Sequence, residues 1–250
     1  MQRVLAREIL DDLAVDDAEA VRARRDLQRV HRAMGTRSIV LQALRNMDIV
    51  RNNTEPLHVL ELGAGDGSLM LGIAQELAPH WPLVHLTLLD AQPLVTAACI
   101  DSFAHLGWMA RSTVVDVFDW ARDHEQADPQ GQTQKHWDLV VANLFSHHFD
   151  KRQLRTLLRT IAIRSDRFLA CEPRRARFAL LGSHLIGALG TSAVTRNDAV
   201  LSVHAGFRGD ELSALWPGVD ASWRVREYAA GLFSHCFIAQ PLEDQDANPI

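Results

Sequence analysis

One segment, Val59 to Ser68 with the sequence VLELGAGDGS, constrains the fold of this chain more than any other. An apolar run typical of a buried strand meets glycines at positions 63, 65 and 67, and an apolar helical pattern follows over Ser68–Leu77. The glycines allow a tight turn and leave no side chains in the way of a ligand. The amides and the positive dipole end of the following helix would face that ligand. The segment therefore predicts a strand–turn–helix unit of an α/β fold with a binding site at its turn.

The spacing of the glycines separates the candidate ligands. A dinucleotide site requires G-x-G-x-x-G, but the sixth position counted from Gly63 is Ser68. The chain also lacks the G-x-x-x-x-G-K-[ST] phosphate loop. An acidic residue, Glu61, instead precedes the glycines. The segment resembles the first motif of the class I S-adenosylmethionine-dependent methyltransferases, whose cofactor carries an ammonium and a sulfonium but no phosphate. A carboxylate beside the turn suits that ligand.

Composition and charge argue against several other classes of protein. The chain has 250 residues, 47% of them apolar, which fits one large domain or one domain with an appendage. The net charge of −5 argues against a dedicated nucleic-acid binder. The widely spaced Cys99, Cys171 and Cys236 favour a reducing compartment over a disulfide framework or a zinc site. No apolar run approaches the ~20 residues of a membrane span, and the N-terminus lacks a signal-peptide core. We therefore expect a cytoplasmic protein with no nucleic-acid or membrane partner.

The N-terminal quarter predicts a helical cap. The pattern is helical from Ile9 to about Met47, with a break at Gly35. Arginines crowd one face of the first long helix, but acidic residues lie just upstream, which favours a solvated surface over an anion site. A turn cluster at 52–56 marks the boundary. We expect residues 1–54 to form a cap or substrate lid, and residues 55–250 to form the cofactor-binding methyltransferase domain.

From Leu57 onwards, strand and helix patterns alternate, which predicts a mostly parallel sheet with helices on both faces. Five strands are predicted at Leu57–Leu62, Val84–Asp90, Ser112–Asp116, Asp138–Asn143 and Arg167–Glu172. The intervening helices are predicted at Ser68–Leu77, Leu94–Leu106 and Lys151–Ile163. A polar loop at 128–132 precedes the fourth strand.

The last third of the chain is less regular. It contains an apolar helix, Ala176–Leu189, within the section 173–216 that we expect to be an acceptor-binding insertion. Strands at Trp223–Tyr228 and Leu232–Ala239 are joined by a turn at 229–231. The family resemblance, and not the periodicity, implies a Rossmann-like, doubly wound sheet of seven strands with an antiparallel last strand.

Candidate cofactor ligands stand where the predicted strands end, because ligands of open α/β sheets bind beyond the carboxyl ends of the strands. Asp90 ends the second strand, where a carboxylate can accept both ribose hydroxyls; the alternative is a turn or helix-capping role. The resemblance implies an adenine site at Asp116, with Asp119 as the alternative that could equally cap the next helix. Asn143 would line the methionine end. The expected cofactor-binding residues are Glu61, Gly63, Ala64, Gly65, Asp90, Ala91, Asp116, Val117 and Asn143.

Two histidines follow the fourth strand in the segment Asn143–Phe149, NLFSHHF, which resembles the family's fourth motif. Methyl transfer is an in-line displacement at a cationic sulfonium, so the enzyme must align the acceptor and make it nucleophilic. An imidazole, with an unperturbed pKa near 6.5, suits proton removal from a phenol or an acid hydroxyl. His147 or His148 is therefore a candidate general base, and a packing role for both is the alternative.

Further candidates come from the fifth strand and the irregular section. Glu172 ends the fifth strand at the same cleft, where it would orient the acceptor or a histidine, or pair with an adjacent arginine. His204 and Arg208 are weaker candidates for a substrate lid. No acidic residue stands near His147 and His148 at zinc or facial-triad spacing, so we predict no metal.

The sequence thus predicts an S-adenosylmethionine-dependent methyltransferase of a small-molecule acceptor, at a hydroxyl of an aromatic, quinone-like or polyketide compound. Nitrogen or carbon acceptors are the nearest variants, and a homodimer is compatible with the sequence. The [DNS]-P-P-[YFW] motif of amine- and DNA-modifying members is absent after the fourth strand, where the residues are NLFS. A non-catalytic scaffold would show a degraded turn or a lost ribose carboxylate, and an NAD-dependent oxidoreductase would need the missing G-x-G-x-x-G.

Overall fold

The computed structural model describes residues 1–47, 49, 55–123, 136–218 and 223–242. The predicted polar loop at 128–132 and most of the predicted turn cluster at 52–56 lie outside these residues. None of the helices described is both long and apolar enough to cross a membrane.

Seven strands form one sheet in the order β3-β2-β1-β4-β5-β7-β6. They are β1 (Leu57–Leu62), β2 (Val84–Asp90), β3 (Met109–Val114), β4 (Leu139–Asn143), β5 (Phe168–Pro173), β6 (Trp223–Ala230) and β7 (Ser234–Pro241). The pairs among β1 to β5 are parallel, whereas β7 runs antiparallel to both β5 and β6. The predicted α/β fold, with its antiparallel last strand inside the sheet, is confirmed.

Helices cover both faces of the sheet. They are α1 (Ile9–Asp12), α2 (Ala18–Met34), α3 (Thr36–Arg45), α4 (Ser68–Leu77), α5 (Ala97–His105), α6 (Val117–Asp123), α7 (Lys151–Arg164), α8 (Arg177–Leu185) and α9 (Ala193–Ala205). One apolar core lies under α3, α4 and α5 and includes Leu44, Met70 and Phe103. The other lies under α6 and α7 and includes Trp120 and Leu158. Strand order reverses at β1 and β4, which places the carboxyl ends of these strands at the crevice where such folds bind ligands.

Several elements differ from the sequence-based prediction. The predicted helix Leu94–Leu106 runs from Ala97 to His105, and the predicted helix Ala176–Leu189 is α8 followed by a 3-10 turn at Ile186–Leu189. The third strand begins at Met109 rather than Ser112 and ends at Val114, because the chain turns there into α6. The hairpin turn lies at 231–233 instead of 229–231, so β6 extends to Ala230. Residues 193–205, expected to be irregular, form α9, whose N-cap Ser192 accepts a bond from the Thr195 amide.

The N-terminal helices pack on this late helix. The buried carboxylate of Asp26 in α2 accepts hydrogen bonds from the Ser192 amide at 2.6 Å and from the Thr195 hydroxyl at 3.3 Å. Asp198 in α9 accepts the amides of Ile9 and Leu10 at 2.9 and 3.0 Å. The N-terminal segment and α9 therefore form one cap at the carboxyl edge of the sheet.

Candidate active site

The glycine-rich turn between β1 and α4 is tight at one end and open at its centre. Gly63, Gly65 and Gly67 have φ angles of 67°, 55° and 77°, in the left-handed region that favours glycine. A Cβ on Gly63 would come within 2.3 Å of the Phe145 ring, whereas a Cβ on Gly65 would meet nothing within 4 Å. The backbone at Gly65 can therefore be approached closely by a ligand.

Asp90, at the end of β2, lies directly against this turn. Its Oδ2 accepts a hydrogen bond from the Gly65 amide at 2.8 Å, and its Oδ1 accepts one from the Gln92 amide at 2.9 Å. The Ala64 amide donates to the Leu89 carbonyl at 3.0 Å. Each carboxylate oxygen can accept a second hydrogen bond. Asp90 thus fixes the turn, and each of its oxygens can still accept a hydrogen bond from a ribose hydroxyl. Binding of the ribose stays a prediction.

Two buried oxygen atoms near the ends of β1 and β4 lack a hydrogen-bond donor in the part of the chain that the structure describes. Among the described residues, Glu61 Oε2 and Asn143 Oδ1 have no hydrogen-bond partner. Glu61 is 2% exposed, and burial together with the charges of Asp66 and Asp90 raises its pKa well above the ordinary value. Buried polar atoms are normally hydrogen-bonded, so unpaired acceptors beside an open turn mark a place for a ligand with N–H donors. A cationic ligand would return Glu61 to its charged form.

Asp116, the predicted adenine ligand, caps α6. Its Oδ1 accepts the Phe118 amide at 2.7 Å. Asp119, the alternative adenine ligand that could equally have capped a helix, pairs with Arg122. Val117 is buried and Asp116 is exposed. The cap engages one carboxylate oxygen and leaves the adenine role of Asp116 a prediction.

Helix α2 lies across the same edge of the turn. Gln28 donates to Asp66 at 2.5 Å, and Arg24 donates to the Gln92 side chain at 3.2 Å. Ala91, next to Gln92, is exposed. Because Asp66 belongs to the turn and Gln92 follows β2, the N-terminal cap contacts the predicted cofactor site from outside.

The loop after β4 is organised by Glu172 at the end of β5. This buried carboxylate accepts the amides of Phe145, Ser146 and His147 at 3.3, 2.7 and 3.3 Å, and also His147 Nδ1 at 2.9 Å. Burial alone would raise the pKa of Glu172, but the His147 and Ser146 hydrogen bonds hold it below the ordinary value. The predicted partners of Glu172 were the acceptor, a histidine or an adjacent arginine, and in the structure its carboxylate contacts the histidine. Leu144, just before this loop, has a φ of 50°, a strained conformation that clusters at functional sites.

His147 lies between two carboxylates. Its Nδ1 faces Glu172, and its Nε2 lies 3.4 Å from Glu8 Oε1, which also accepts the Ser202 hydroxyl. Burial alone would lower the pKa of His147, but the hydrogen bonds to Glu172 and Glu8 raise it to about 9. At neutral pH His147 is therefore an imidazolium and does not accept a proton.

His148 has the opposite character. Its ring centroid lies 4.1 Å from that of His147, and its Nδ1 is 3.5 Å from Asp11. The His148 side chain is 28% exposed, and its partial burial together with the charge of His147 lowers the pKa of His148 to about 4. Of the two predicted candidates, only His148 is neutral at physiological pH, so only its ring keeps a nitrogen lone pair that can accept a hydrogen bond from an acceptor hydroxyl.

Glu8 and Asp11 were not among the predicted site residues. They arrive on the N-terminal segment, which Arg3 ties to the loop by donating to the carbonyls of His147 and Phe149 at 3.1 and 3.0 Å. Glu8 and His147 are 139 positions apart in sequence. No local spacing signals this contact, which only the packing of the cap creates.

Glu8, His147 and His148 place one potential ligand atom each within 4.8 Å of one another. Such a set could hold a metal ion. As an imidazolium, however, His147 uses both ring nitrogens as donors towards Glu172 and Glu8, and a metal requires a deprotonated nitrogen. The absence of a metal stays a prediction.

The weaker lid candidates have structural contacts. The His204 carbonyl accepts the Val4 amide at 3.1 Å, and the Arg208 amide donates to Glu211. The Arg208 side chain is exposed. Their lid roles stay predictions. His235, expected in the core, is buried and pairs with Glu227 at 2.8 Å.

Comparison with protein families decides the identity of this site. Residues 28–177, more than half of the chain, match a family model described as lysine methyltransferase. The chain belongs to this methyltransferase family. The match spans the turn, the strand-end carboxylates and the histidine loop, and it establishes an S-adenosylmethionine-dependent methyltransferase. No curated protein sequence matches the chain.

Solved structures show the same fold for this methyltransferase. The plantazolicin methyltransferase in complex with SAH has a TM-score of 0.58 and 12% identity over 90% of this chain and 91% of that one. An O-methyltransferase family protein from Burkholderia thailandensis has a TM-score of 0.55 and 16% identity, over 91% of this chain and 63% of that one. The mitomycin 7-O-methyltransferase has a TM-score of 0.55 and 18% identity, over 92% and 60%.

S-adenosylmethionine fits the polar groups of this methyltransferase. Its ammonium would meet the unpaired buried acceptors Glu61 and Asn143, and its ribose would meet Asp90. The open space at Gly65 admits it close to the backbone. When bound, the cofactor supplies a methyl group on a cationic sulfonium.

Proposed function

We propose that this methyltransferase acts on a small molecule and methylates a hydroxyl of an aromatic, quinone-like or polyketide acceptor. The observation that carries the proposal is the pairing of a neutral His148 with a protonated His147 at the carboxyl edge of β4. A phenol has a pKa near 10 and must lose its proton to become a good nucleophile. A neutral imidazole can accept that proton, and an adjacent positive charge can stabilise the phenolate that remains.

In this proposal, His148, His147 and the two carboxylates have different roles. His148 would accept the proton of the acceptor hydroxyl, which makes the oxygen nucleophilic towards the methyl group that the cofactor would supply. His147 stabilises the developing phenolate with its positive charge. Glu172 and Glu8 keep His147 protonated and hold the plane of its ring. Because the cofactor would supply its methyl group from a cationic sulfonium, no residue is required as an acid for the leaving group.

We further propose that residues 1–54 and the section 173–216 form the cap that binds the acceptor. Supporting this, Arg3 ties the N-terminal segment to the histidine loop, and Asp26 ties α2 to the start of α9. Both parts therefore meet at the carboxyl edge of the sheet, above the histidines. A cap built in this way excludes water from the reacting groups. The cytoplasmic location and the homodimer remain expectations from the sequence.

Methylation of a protein lysine is a second candidate, because the matching family is that of a lysine methyltransferase. A lysine amine must also lose a proton before it attacks. The buried position of His147 beneath the N-terminal segment favours a small acceptor over a protein chain. The fold likeness to the mitomycin 7-O-methyltransferase agrees with a hydroxyl acceptor, although at 18% identity it speaks for the fold alone.

Labelled S-adenosylmethionine tests the two candidates directly. The enzyme is incubated with a panel of phenols, hydroxyquinones and polyketide phenols, and in parallel with lysine-rich proteins, and products are analysed by mass spectrometry. We expect label on an aromatic oxygen and none on lysine. His148→Ala should lower turnover by about 100-fold or more, because removal of a general base costs that much. His80→Ala, at an exposed histidine remote from the loop, should leave turnover unchanged.

Label on lysine and none on the phenols would contradict the proposal. Full turnover by His148→Ala would remove His148 from the chemistry, and full turnover by His147→Ala as well would leave both histidines in a packing role.

A further inference from the structure

Helix α8 turns an apolar face outward. Its large exposed side chains recur at helical spacing and continue into the following 3-10 turn at Ile186–Leu189. We call Phe178, Leu181, Leu185 and Leu189 the α8 face. Leu181 and Leu185 are 60% and 62% exposed. The residues that α8 buries, Ala179 and Ser183, are small and lie on its opposite side. The helix thus presents its larger apolar side chains to the surroundings, the reverse of an ordinary surface helix.

The hairpin between β6 and β7 extends this apolar surface. A Cβ on Gly182 would come within 2.5 Å of the Phe233 ring, so the hairpin tip packs against α8. Leu232, at the same tip, is 63% exposed. Contiguous exposed apolar patches of this kind mark interaction sites on proteins.

The surface around the α8 face is basic, although the chain as a whole is acidic. Residues 173–197 contain four arginines and one histidine and no aspartate or glutamate. Arg177 and His184 are exposed two helical turns apart, and the Arg174 guanidinium lies 5.0 Å from the Phe178 ring centroid. One arginine of the section, Arg175, is buried and paired with Glu211, so it does not contribute. Leucine and phenylalanine rimmed by arginine is the composition of helices that lie in the interface of anionic membranes.

We propose that the α8 face docks on an anionic lipid surface, with its leucines in the acyl boundary and Arg174 and Arg177 against lipid headgroups. Two copies of the chain pairing through this face would bring the same arginines together, and like charges across an interface oppose association. The sequence predicts no membrane partner because it lacks a membrane-spanning segment. Docking on a membrane surface does not require such a segment.

The docking surface is continuous with the cap of the proposed active site. Helix α8 follows β5, whose end carries Glu172, and it packs on α9, which holds the N-terminal segment. An apolar aromatic acceptor partitions into membranes, so a cap resting on lipid would meet such an acceptor where it is concentrated. This consequence rests on the proposed function, whereas the docking itself does not.

Vesicle co-sedimentation of the full chain tests the proposal. The probes are vesicles of phosphatidylcholine alone and vesicles that also contain phosphatidylglycerol. We expect sedimentation with the anionic vesicles, weaker sedimentation with the neutral ones, and release at high salt. Leu181→Ser combined with Leu185→Ser should weaken binding by more than about tenfold. Ile163→Ser is the matched control, because Ile163 is 63% exposed. It lies at the end of α7, just before β5 begins, whereas α8 follows the carboxyl end of β5.

Three results would overturn the proposal. The first is that the wild-type protein stays in the supernatant with both kinds of vesicle. The second is that it sediments equally with both kinds, and the third is that it sediments no better than the double variant. A wild-type dimer in light scattering that becomes monomeric in the double variant would assign the α8 face to a second copy instead. Thermal melting and binding of S-adenosylhomocysteine by the double variant separate these outcomes from misfolding and from failure of the proposed function.

Discussion

His147 and His148 are neighbours in the chain, yet their surroundings give them opposite charges at neutral pH. Two carboxylates raise the pKa of His147 to about 9, whereas burial beside that imidazolium lowers the pKa of His148 to about 4. The residue types alone predict only that an imidazole stands near the acceptor. Which histidine stays neutral depends on the two carboxylates beside His147, Glu172 and Glu8, and Glu8 is brought in by the fold. Titratable groups pushed apart by their environments are a common basis of acid–base roles.

The pKa of His147 makes a prediction about stability. A histidine whose pKa is raised on folding, here from about 6.5 to about 9, stabilises the folded state fully below pH 6.5. That contribution is lost as the pH rises through 9, and it amounts to at most about 3 kcal/mol. Glu8→Gln removes one of the two carboxylates. The free energy of unfolding, measured with urea between pH 6.5 and 9.5, should therefore fall less steeply in Glu8→Gln than in the wild type.

Asp12→Asn provides the control, because Asp12 pairs with Arg7 at the surface of the same N-terminal segment. Its pH dependence should match that of the wild type. Identical slopes for Glu8→Gln and the wild type would show that Glu8 does not hold the proton on His147.

At the scale of elements, the cap depends on short contacts between segments distant in sequence. Helix α1 has only four residues and no buried side chain, too short to be stable by itself. The carboxylate of Asp198 in α9 accepts its first two amides and fixes the segment that carries Glu8. Sequence patterning misses α9 because its apolar residues do not form one clear stripe, and it misses the contact because nothing local signals it.

Asp198→Ala should release the N-terminal segment. We expect a loss of about 1–2 kcal/mol in the free energy of unfolding, the usual cost of a lost helix cap. Hydrogen exchange at residues 3–12 should accelerate more than in the rest of the chain, and turnover should fall because Glu8 leaves His147. Thr96→Ala is the matched control, since it removes the cap of α5 and leaves the contacts of the N-terminal segment in place. Equal acceleration of residues 3–12 in both variants would show that Asp198 does not anchor the segment.

At the scale of the whole molecule, the part of the fold that local patterning predicts is the part that local physics determines. The strand, glycine turn and helix around Gly65 follow from short-range sequence, and so do most of the parallel strands and their helices. The third strand begins three residues earlier than predicted because its side chains at the sheet edge are mostly exposed and give no clear pattern. The site shows the same division. Strand-end residues such as Asp90 and Glu172 are visible in the sequence, whereas Glu8 is not.

The most direct test is calorimetry of S-adenosylhomocysteine against NAD. We expect the wild-type protein to bind S-adenosylhomocysteine in the micromolar range and not to bind NAD. Asp90→Ala should lose at least about 100-fold in affinity, the worth of two hydrogen bonds to a charged acceptor. Asp101→Ala, at an exposed carboxylate on α5, should bind like the wild type. Unchanged affinity in Asp90→Ala would contradict the ribose role of Asp90, and binding of NAD in place of S-adenosylhomocysteine would contradict the identity of the cofactor.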